Sequence, residues 1–297
     1  MNAMEASLET PRKAPAGSGG GALPNTIVIG AQKCGTSTLH YYMGFHPEVS
    51  ASSPKELNFF IEANNWEQGV GWYRSHFDPE KAVRLESSPN YTTWPHHEGI
   101  PARMAELVPD AKLIFMVRDP VARIEAHWVH NYAKRRERGT VIETITHPST
   151  TYILRSRYFM QIEQFLKHFD RSQILVFQQS DLRDRRAAQL REVFEFVGVD
   201  PDFRHKAFDT VRHRTAKKRR ATKAGMKVQE WSRTDWGKRV PKVFWNYAEA
   251  GLRLSRPIER PNLRDQLPDD VLEVLRDDAI KLREFTGRDF ANWSIWR

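Results

Sequence analysis

An apolar run, a glycine-bounded loop and an amphipathic helical pattern follow one another in residues 26–43, TIVIGAQKCGTSTLHYYM. The loop runs from Gly30 to Gly35 and carries Lys33 between the two glycines. Three hydroxyl side chains follow the second glycine: Thr36, Ser37 and Thr38. The backbone N–H groups of a helix start converge on one point, and the helix dipole adds partial positive charge there. The stretch therefore predicts a binding site for phosphate or sulfate.

The position of Lys33 separates this loop from the loops that bind ATP or GTP together with magnesium. In those loops the lysine directly follows the second glycine, and a neighbouring hydroxyl holds the metal. Here Thr36 stands in that place, and the segment VRDP puts Arg118 beside the only acid at the end of its apolar run. An arginine beside the acid favours an anion over a metal ion. We therefore expect a metal-free transfer of an anionic group and no metal site.

Three short apolar runs are typical of buried parallel strands: TIVIG (26–30), KLIFMV (112–117) and QILVF (173–177). Apolar residues spaced as on one face of a helix follow in three segments: Ile162, Phe165, Leu166 and Phe169; Leu190, Val193, Phe194 and Val197; Leu272, Leu275, Ala279 and Leu282. This alternation predicts an α/β fold of three layers, with a central parallel sheet flanked by helices.

The length of 297 residues allows one large α/β domain or two small ones, and we place a single domain at 25–297. Residues 1–24 are rich in Gly, Ala, Ser and Pro and predict a disordered arm. The sequence shows no apolar run long enough to span a membrane and no signal peptide. Its single cysteine, Cys34, excludes an internal disulfide and a zinc-binding cysteine cluster. These features predict a cytoplasmic protein.

The net charge of +9 is concentrated in one segment of the chain. Between Arg204 and Lys227 there are ten Lys or Arg residues and one acid, Asp209. Such a run forms either a solvated basic surface or a clamp for a polyanionic ligand.

Several motifs resemble those of sulfotransferases that use 3′-phosphoadenosine 5′-phosphosulfate (PAPS), and in particular those of the heparan or carbohydrate branch. IGAQKCGTSTL is similar to their 5′-phosphosulfate loop, and KLIFMVRDPVARIEAHW to the strand and helix that hold the 3′-phosphate. Four further segments follow in the family's order: PKELNFF, ESSPNY, RYFMQIEQFLKHFDRSQILVFQQSDL and TGRDFANW. The resemblance covers residues 25–297 and implies the P-loop-like fold of a bacterial-type cytoplasmic member.

The resemblance implies a role for each residue of the first loop. Sulfuryl transfer is an in-line displacement in which negative charge grows on the bridging oxygen as 3′,5′-ADP leaves. Lys33 would stabilise that oxygen, where a cation is most effective in the transition state. Gly35 would allow close approach of the backbone. The 5′-phosphate would be held by Thr36, Ser37 and Thr38.

The resemblance also implies the residue that takes the proton of the acceptor hydroxyl. Glu56 of PKELNFF matches the family's general base. His96 and His97 are the alternatives, because imidazole titrates near neutral pH.

The second motif implies that Arg118 presents a donor fork to the 3′-phosphate. We expect Arg123, five residues further on, to form a structural salt bridge. The family serine eight residues after Arg118 is replaced by Ala126, which lies beside His127. Tyr158 matches a family aromatic near the nucleotide, but its position is equally compatible with packing in the core.

In these enzymes a late loop closes over the donor phosphates, and RTAKKRRATK lies at the matching place in the chain. The residues that this implies as donor contacts are Lys217, Lys218, Arg219 and Arg220.

The expected acceptor is a hydroxyl of a carbohydrate, a glycolipid head group or another small molecule. A heparan polymer fits less well, because Ser87 stands where many heparan-type members have lysine and the sequence predicts no secretory signal. Two other functions are compatible with parts of the sequence: a kinase or NTPase with an atypical P-loop, and a nucleic-acid-binding protein that uses the 204–227 segment. We expect neither nucleic acid nor membrane as a partner.

Overall fold

The computed structural model describes residues 21–134, 136–137, 139–146, 150–209, 231, 240, 258 and 260–296. Most of the predicted disordered arm therefore lies outside the described residues. The strands are β1 (Thr26–Gly30), β2 (Val49–Ala51), β3 (Val83–Ser87), β4 (Lys112–Val117) and β5 (Ile174–Gln178). The helices are α1 (Thr36–Met43), α2 (Gly69–Arg74), α3 (Ile100–Leu107), α4 (Pro120–Ala133), α5 (Val141–Thr146), α6 (Thr151–Leu154), α7 (Tyr158–Leu166), α8 (Gln179–Asp184), α9 (Arg186–Val197) and α10 (Asp269–Thr286).

Within the described residues the strands form one parallel sheet of five strands in the order β2-β3-β1-β4-β5. Ile27, Val28 and Ile29 are consecutive in the central strand β1 and are completely buried, so both faces of the sheet are covered. The prediction of an α/β fold with a central parallel sheet between helices is thereby confirmed.

The three apolar runs are β1, β4 and β5, with β5 beginning one residue later than predicted. Apolar pattern alone did not identify β2 and β3. β2 has three residues, and β3 (VRLES) carries Arg84 and Glu86 among its apolar residues. Short strands and strands with charged residues give no continuous apolar run.

Glu86 is buried in the interior although it carries a carboxyl group. The carboxyl accepts hydrogen bonds from the hydroxyls of Tyr73, Ser88 (2.6 Å) and Tyr91 (2.7 Å). Burial raises its pKa, and these hydrogen bonds act in the opposite direction. The network fixes the segment that follows β3, which includes Asn90 at the edge of the site described below.

Helices α7, α9 and α10 carry the predicted apolar stripes, although Phe169 lies beyond the end of α7. A carboxylate of α10 caps the start of α7: Asp278 accepts the backbone N–H of Phe159 (2.8 Å) and of Met160 (2.9 Å). Burial raises the pKa of Asp278 to about 6. The contact anchors the first turn of α7 and the residues just before it. No helix among the described residues is long and apolar enough to cross a membrane.

Candidate active site

The loop between β1 and α1 has the geometry of an anion site. Lys33 has a φ of 73°, and Gly35, at the N-cap of α1, has a φ of 96°, a value that favours glycine. No side chain caps this helix start. A Cβ at Gly30 would lie 2.1 Å from the Thr92 hydroxyl oxygen, so only glycine fits where the strand enters the loop. The N–H groups at the start of α1 are therefore available for an anion.

The loop forms the floor of a polar cavity of about 680 Å³. Most of the predicted site residues within the described part of the chain line this one cavity: Lys33, Gly35, Thr36, Ser37, Thr38, Glu56 and Arg118. They come from the carboxyl ends of β1 and β4 and from the segment after β2. The parallel sheet brings them together because the carboxyl ends of its strands lie at one edge.

Glu56 forms an ion pair with the residue that precedes it. The Lys55 ammonium lies 3.0 Å from Glu56 Oε1 and donates to the Thr36 hydroxyl at 3.4 Å. The Glu56 side chain is 44% exposed, whereas that of Lys55 is 18% exposed. Burial lowers the pKa of Lys55, and the carboxylate of Glu56 opposes that shift. Lys55 thus joins the candidate base to the first residue of α1.

Behind this pair lies Ser87, the last residue of β3. Its hydroxyl lies 2.9 Å from His40 Nδ1. Burial, together with the charge of Lys55, lowers the pKa of His40 to about 3. A neutral His40 therefore lies beneath the site at physiological pH.

Arg118 lines the cavity at the end of β4. Burial and the neighbouring Arg260 lower its pKa, because both disfavour its positive charge. The adjacent Asp119 accepts the N–H groups of Ala122 (3.1 Å) and Ser294 (2.6 Å), so this acid caps α4. Arg118 thus presents its positive charge to the cavity, whereas Asp119 caps α4. Within the described ranges, no cluster of His, Cys, Asp and Glu is suited to hold a metal ion.

The prediction of a salt bridge for Arg123 is wrong. Its guanidinium is completely buried and donates to the Ser156 hydroxyl and to the Tyr152 carbonyl, both at 2.6 Å. No carboxylate is among its partners in the described residues. The carbonyl at Tyr152, in the short helix α6, takes the acceptor role that we assigned to an acid.

Tyr158 and Ala126, whose contact with the donor nucleotide the sequence left undecided, both lie in the interior. Tyr158 is completely buried, packs against Phe115 and Trp293, and has its hydroxyl 3.6 Å from Cys34 Sγ. It therefore packs in the core behind the loop. Ala126 is buried and does not line the cavity.

Sequence reasoning missed one wall of the cavity. It is formed by the end of α4 and by residues before α7: His127, His130, Asn131, Lys134, Arg136, Thr151 and Arg155. His127, His130, Asn131 and Lys134 have the spacing of one helix face, and this pattern was the available signal. Burial and the nearby Arg123 and Arg155 lower the pKa of His127 well below its usual value.

The structure does not bring His96 and His97 to this cavity. His96 is exposed, and His97 lines a separate cavity of about 300 Å³ together with Trp94 and Gln161. Among the described residues, the carboxylate that lines the larger cavity is that of Glu56. The four basic residues Lys217, Lys218, Arg219 and Arg220 lie outside the described residues.

Comparison with known families matches residues 23–240 to the family described as Sulfotransferase domain. The chain is 31% identical over 204 residues to bifunctional heparan sulfate N-deacetylase/N-sulfotransferase 4 of Mus musculus, covering 62% of this chain and 23% of that protein. It is 30% identical over 194 residues to heparan sulfate glucosamine 3-O-sulfotransferase 3B1 of Homo sapiens, covering 62% of this chain and 48% of that protein.

A solved structure, a sulfotransferase from Alicyclobacillus acidocaldarius, matches with a TM-score of 0.65 and 22% identity over 92% of this chain and 99% of that one. This likeness concerns the fold. The matches to the curated relatives span less than half of their lengths.

Proposed function

The chain belongs to the sulfotransferase family, and we propose that it transfers the sulfuryl group of PAPS to a hydroxyl group of an acceptor. The observation that supports this most strongly is the single cavity that contains the Lys33 loop, Arg118 and Glu56. The cavity combines the start of α1, which favours an anion, with the cations Lys33 and Arg118 and the carboxylate of Glu56. An in-line sulfuryl transfer uses an anion site for the donor, a cation at the leaving oxygen and a base for the acceptor proton.

The residues fit the donor. The uncapped start of α1 and the hydroxyls of Thr36, Ser37 and Thr38 suit a phosphate oxygen. Arg118 is buried at a cost to its charge, and a doubly charged phosphate group offsets that cost through charge-assisted hydrogen bonds. We therefore assign the 5′-phosphate to the loop and the 3′-phosphate to Arg118. Lys217, Lys218, Arg219 and Arg220 remain the proposed cover over these phosphates.

The transfer step forms one bond and breaks one bond at sulfur. The acceptor oxygen attacks the sulfur, the bond from sulfur to the bridging oxygen breaks, and 3′,5′-ADP leaves with that oxygen. Lys33, in the middle of the loop, neutralises the charge on the leaving oxygen. Glu56 takes the proton of the acceptor hydroxyl. Lys55 contacts both Glu56 and Thr36, so it holds the base next to the phosphosulfate loop.

The acceptor is a hydroxyl compound: a carbohydrate, a glycolipid head group or another small molecule. Two curated relatives are named for sulfation of heparan sulfate or its glucosamine, which supports a carbohydrate. The cavity is polar and is lined mainly by charged groups, amides and hydroxyls, as a hydroxyl-rich ligand requires.

The proposal is tested with labelled PAPS and a library of hydroxyl and amine compounds, in the presence of a metal chelator. We expect transfer of label to at least one hydroxyl compound and tight binding of 3′,5′-ADP by calorimetry. Hydrolysis of ATP with magnesium but no transfer from PAPS would instead indicate an NTPase. Transfer to amines alone would refute the assignment of a hydroxyl acceptor. Binding of nucleic acid without binding of 3′,5′-ADP would refute the function altogether.

A further inference from the structure

Arg155 lies between α6 and α7 and lines the large cavity. One of its terminal nitrogens donates to Asn90 Oδ1 at 3.3 Å. Its Nε is buried and has no hydrogen-bond partner in the structure. No acidic side chain among the described residues forms an ion pair with this guanidinium. Arg155 is half-buried as a whole, but a buried donor without an acceptor is costly unless a ligand supplies one.

The electrostatic environment of Arg155 supports the same conclusion. Burial and the neighbouring Arg123 lower its pKa to about 9, and the negative charge of Glu56 opposes that shift. Glu56 offsets the cost of this charge only in part, and its carboxylate is paired with Lys55. A bound anion would offset the remaining cost of the positive charge on Arg155.

Arg155 belongs to the connection between β4 and β5, but it contacts Asn90, which follows β3 on the other side of β1. The sheet order β2-β3-β1-β4-β5 puts the loop of Lys33 at the centre, with Arg118 after β4 on one side. Glu56 follows β2 and Asn90 follows β3, on the other side. Arg155 contacts Asn90 and lies within electrostatic reach of Glu56, so it belongs to the side of the cavity where the acceptor loses its proton.

We propose that Arg155 is an acceptor-binding residue and that the acceptor carries an oxyanion, a carboxylate or a sulfate ester, near its reacting hydroxyl. This inference rests on the proposed function and specifies its substrate class. The guanidinium fork binds the two oxygens of such a group, with Asn90 fixing the orientation of the fork. Lys134 and Arg136 line the same cavity and add positive charge on the path of an acidic ligand.

The experiment compares matched pairs of acceptors that differ in one acidic group. The carboxylate pairs are phenyl β-glucuronide with phenyl β-glucoside, and para-hydroxybenzoate with para-hydroxybenzamide. The sulfate-ester pair is para-hydroxyphenyl sulfate with para-methoxyphenol. For each pair kcat/KM is measured with labelled PAPS for the wild type, R155Q and R155K. R84Q is the control, because Arg84 is a partly buried arginine outside the cavity that donates to backbone carbonyls.

In the wild type we expect the acidic member of a pair to have a kcat/KM about 10- to 100-fold above that of the neutral member. The ratio should fall to about one in R155Q and stay unchanged in R84Q. In R155K it should take an intermediate value, because the point charge of lysine replaces only part of the guanidinium fork. The pairs that show the effect identify the oxyanion as carboxylate or sulfate ester.

Several results would overturn the proposal. They are a wild-type preference for neutral acceptors, the absence of any transfer to acidic ones, or an acid preference that survives in R155Q. An equal loss for both members of a pair in R155Q would make Arg155 a support for Glu56 instead. The wild-type ratio alone decides the substrate class if R155Q does not fold. Failure of the proposed function is a separate result, since 3′,5′-ADP would then not bind to the wild type.

Discussion

Replacing Arg118 by alanine should weaken the binding of 3′,5′-ADP while leaving the free protein as stable as before. A hydrogen-bonded pair between ionised groups contributes about 1.5–3 kcal/mol, and the burial of Arg118 places it in the upper part of that range. A loss of about 2–3 kcal/mol corresponds to a dissociation constant that is roughly 30- to 150-fold larger.

The free protein should behave differently because the charge of Arg118 is unfavourable without a ligand. Burial and Arg260 lower its pKa, so the folded state holds the charged guanidinium at a cost. We therefore expect the melting temperature of unliganded R118A to equal or exceed that of the wild type. With the same excess of 3′,5′-ADP, the ligand-induced rise should be smaller by roughly 4–6 °C, at about 2 °C per kcal/mol for a chain of this size.

Calorimetry at fixed ionic strength measures the dissociation constant of 3′,5′-ADP. Thermal unfolding with and without ligand measures the melting temperature of the free protein and its ligand-induced rise. R171A is the matched control, because Arg171 donates to the carbonyl of Phe285 and does not line the cavity. Unchanged affinity in R118A would refute the assignment of the 3′-phosphate. A lower melting temperature of the free variant would show that Arg118 mainly stabilises the fold.

Three further predictions concern the loop, the base and the buried histidine. K33A should lower kcat about 100- to 1,000-fold in steady-state kinetics and weaken 3′,5′-ADP binding far less in calorimetry. A kcat equal to that of the wild type would contradict the role of Lys33 at the leaving group. E56Q should lower kcat about 100- to 10,000-fold with unchanged 3′,5′-ADP affinity, and full activity would place the base elsewhere. His40 has a pKa of about 3 in the folded protein, below the value of about 6.5 in an unfolded chain. The unfolded state therefore binds more protons between these values, and stability is lost as the pH falls from 6.5 towards 3. Urea unfolding at pH 7 and pH 5 should show a loss from this residue of about 2 kcal/mol that is absent in H40N; an equal loss in H40N would contradict it.

Local sequence signals predicted the parts of the fold that depend on neighbouring residues. β1 and β4 are long apolar runs buried on both faces, so each was visible in the sequence without knowledge of its partner. β3 was not identified in this way, because the charged residue Glu86 interrupts its apolar run. Glu86 is nevertheless buried, since its carboxyl accepts hydrogen bonds from three hydroxyls, one of which belongs to Tyr73 in α2. A buried charged residue can be recognised only when its partners are known.

Arg123 shows why the type of a residue does not determine its partner. An arginine at the start of a helix predicts an acid nearby, but the structure supplies the carbonyl of Tyr152, 29 residues further along the chain. The distance between these residues in sequence leaves no periodic or motif signal. The same holds for Arg155, whose contact with Asn90 spans 65 residues.

The sequence by itself determined which groups the loop contains and that a helix begins behind it. The glycines, Lys33 and the hydroxyls that follow are close in sequence, and a strand followed by a helix start needs no distant residue to form an anion site. Only the tertiary structure decided what faces that loop. The order of the five strands sets Arg118 on one side of Lys33 and Glu56 on the other, because the order of strands in a sheet is fixed by long-range packing and not by local pattern. Arg155 reaches the Glu56 side only through its tertiary contact with Asn90.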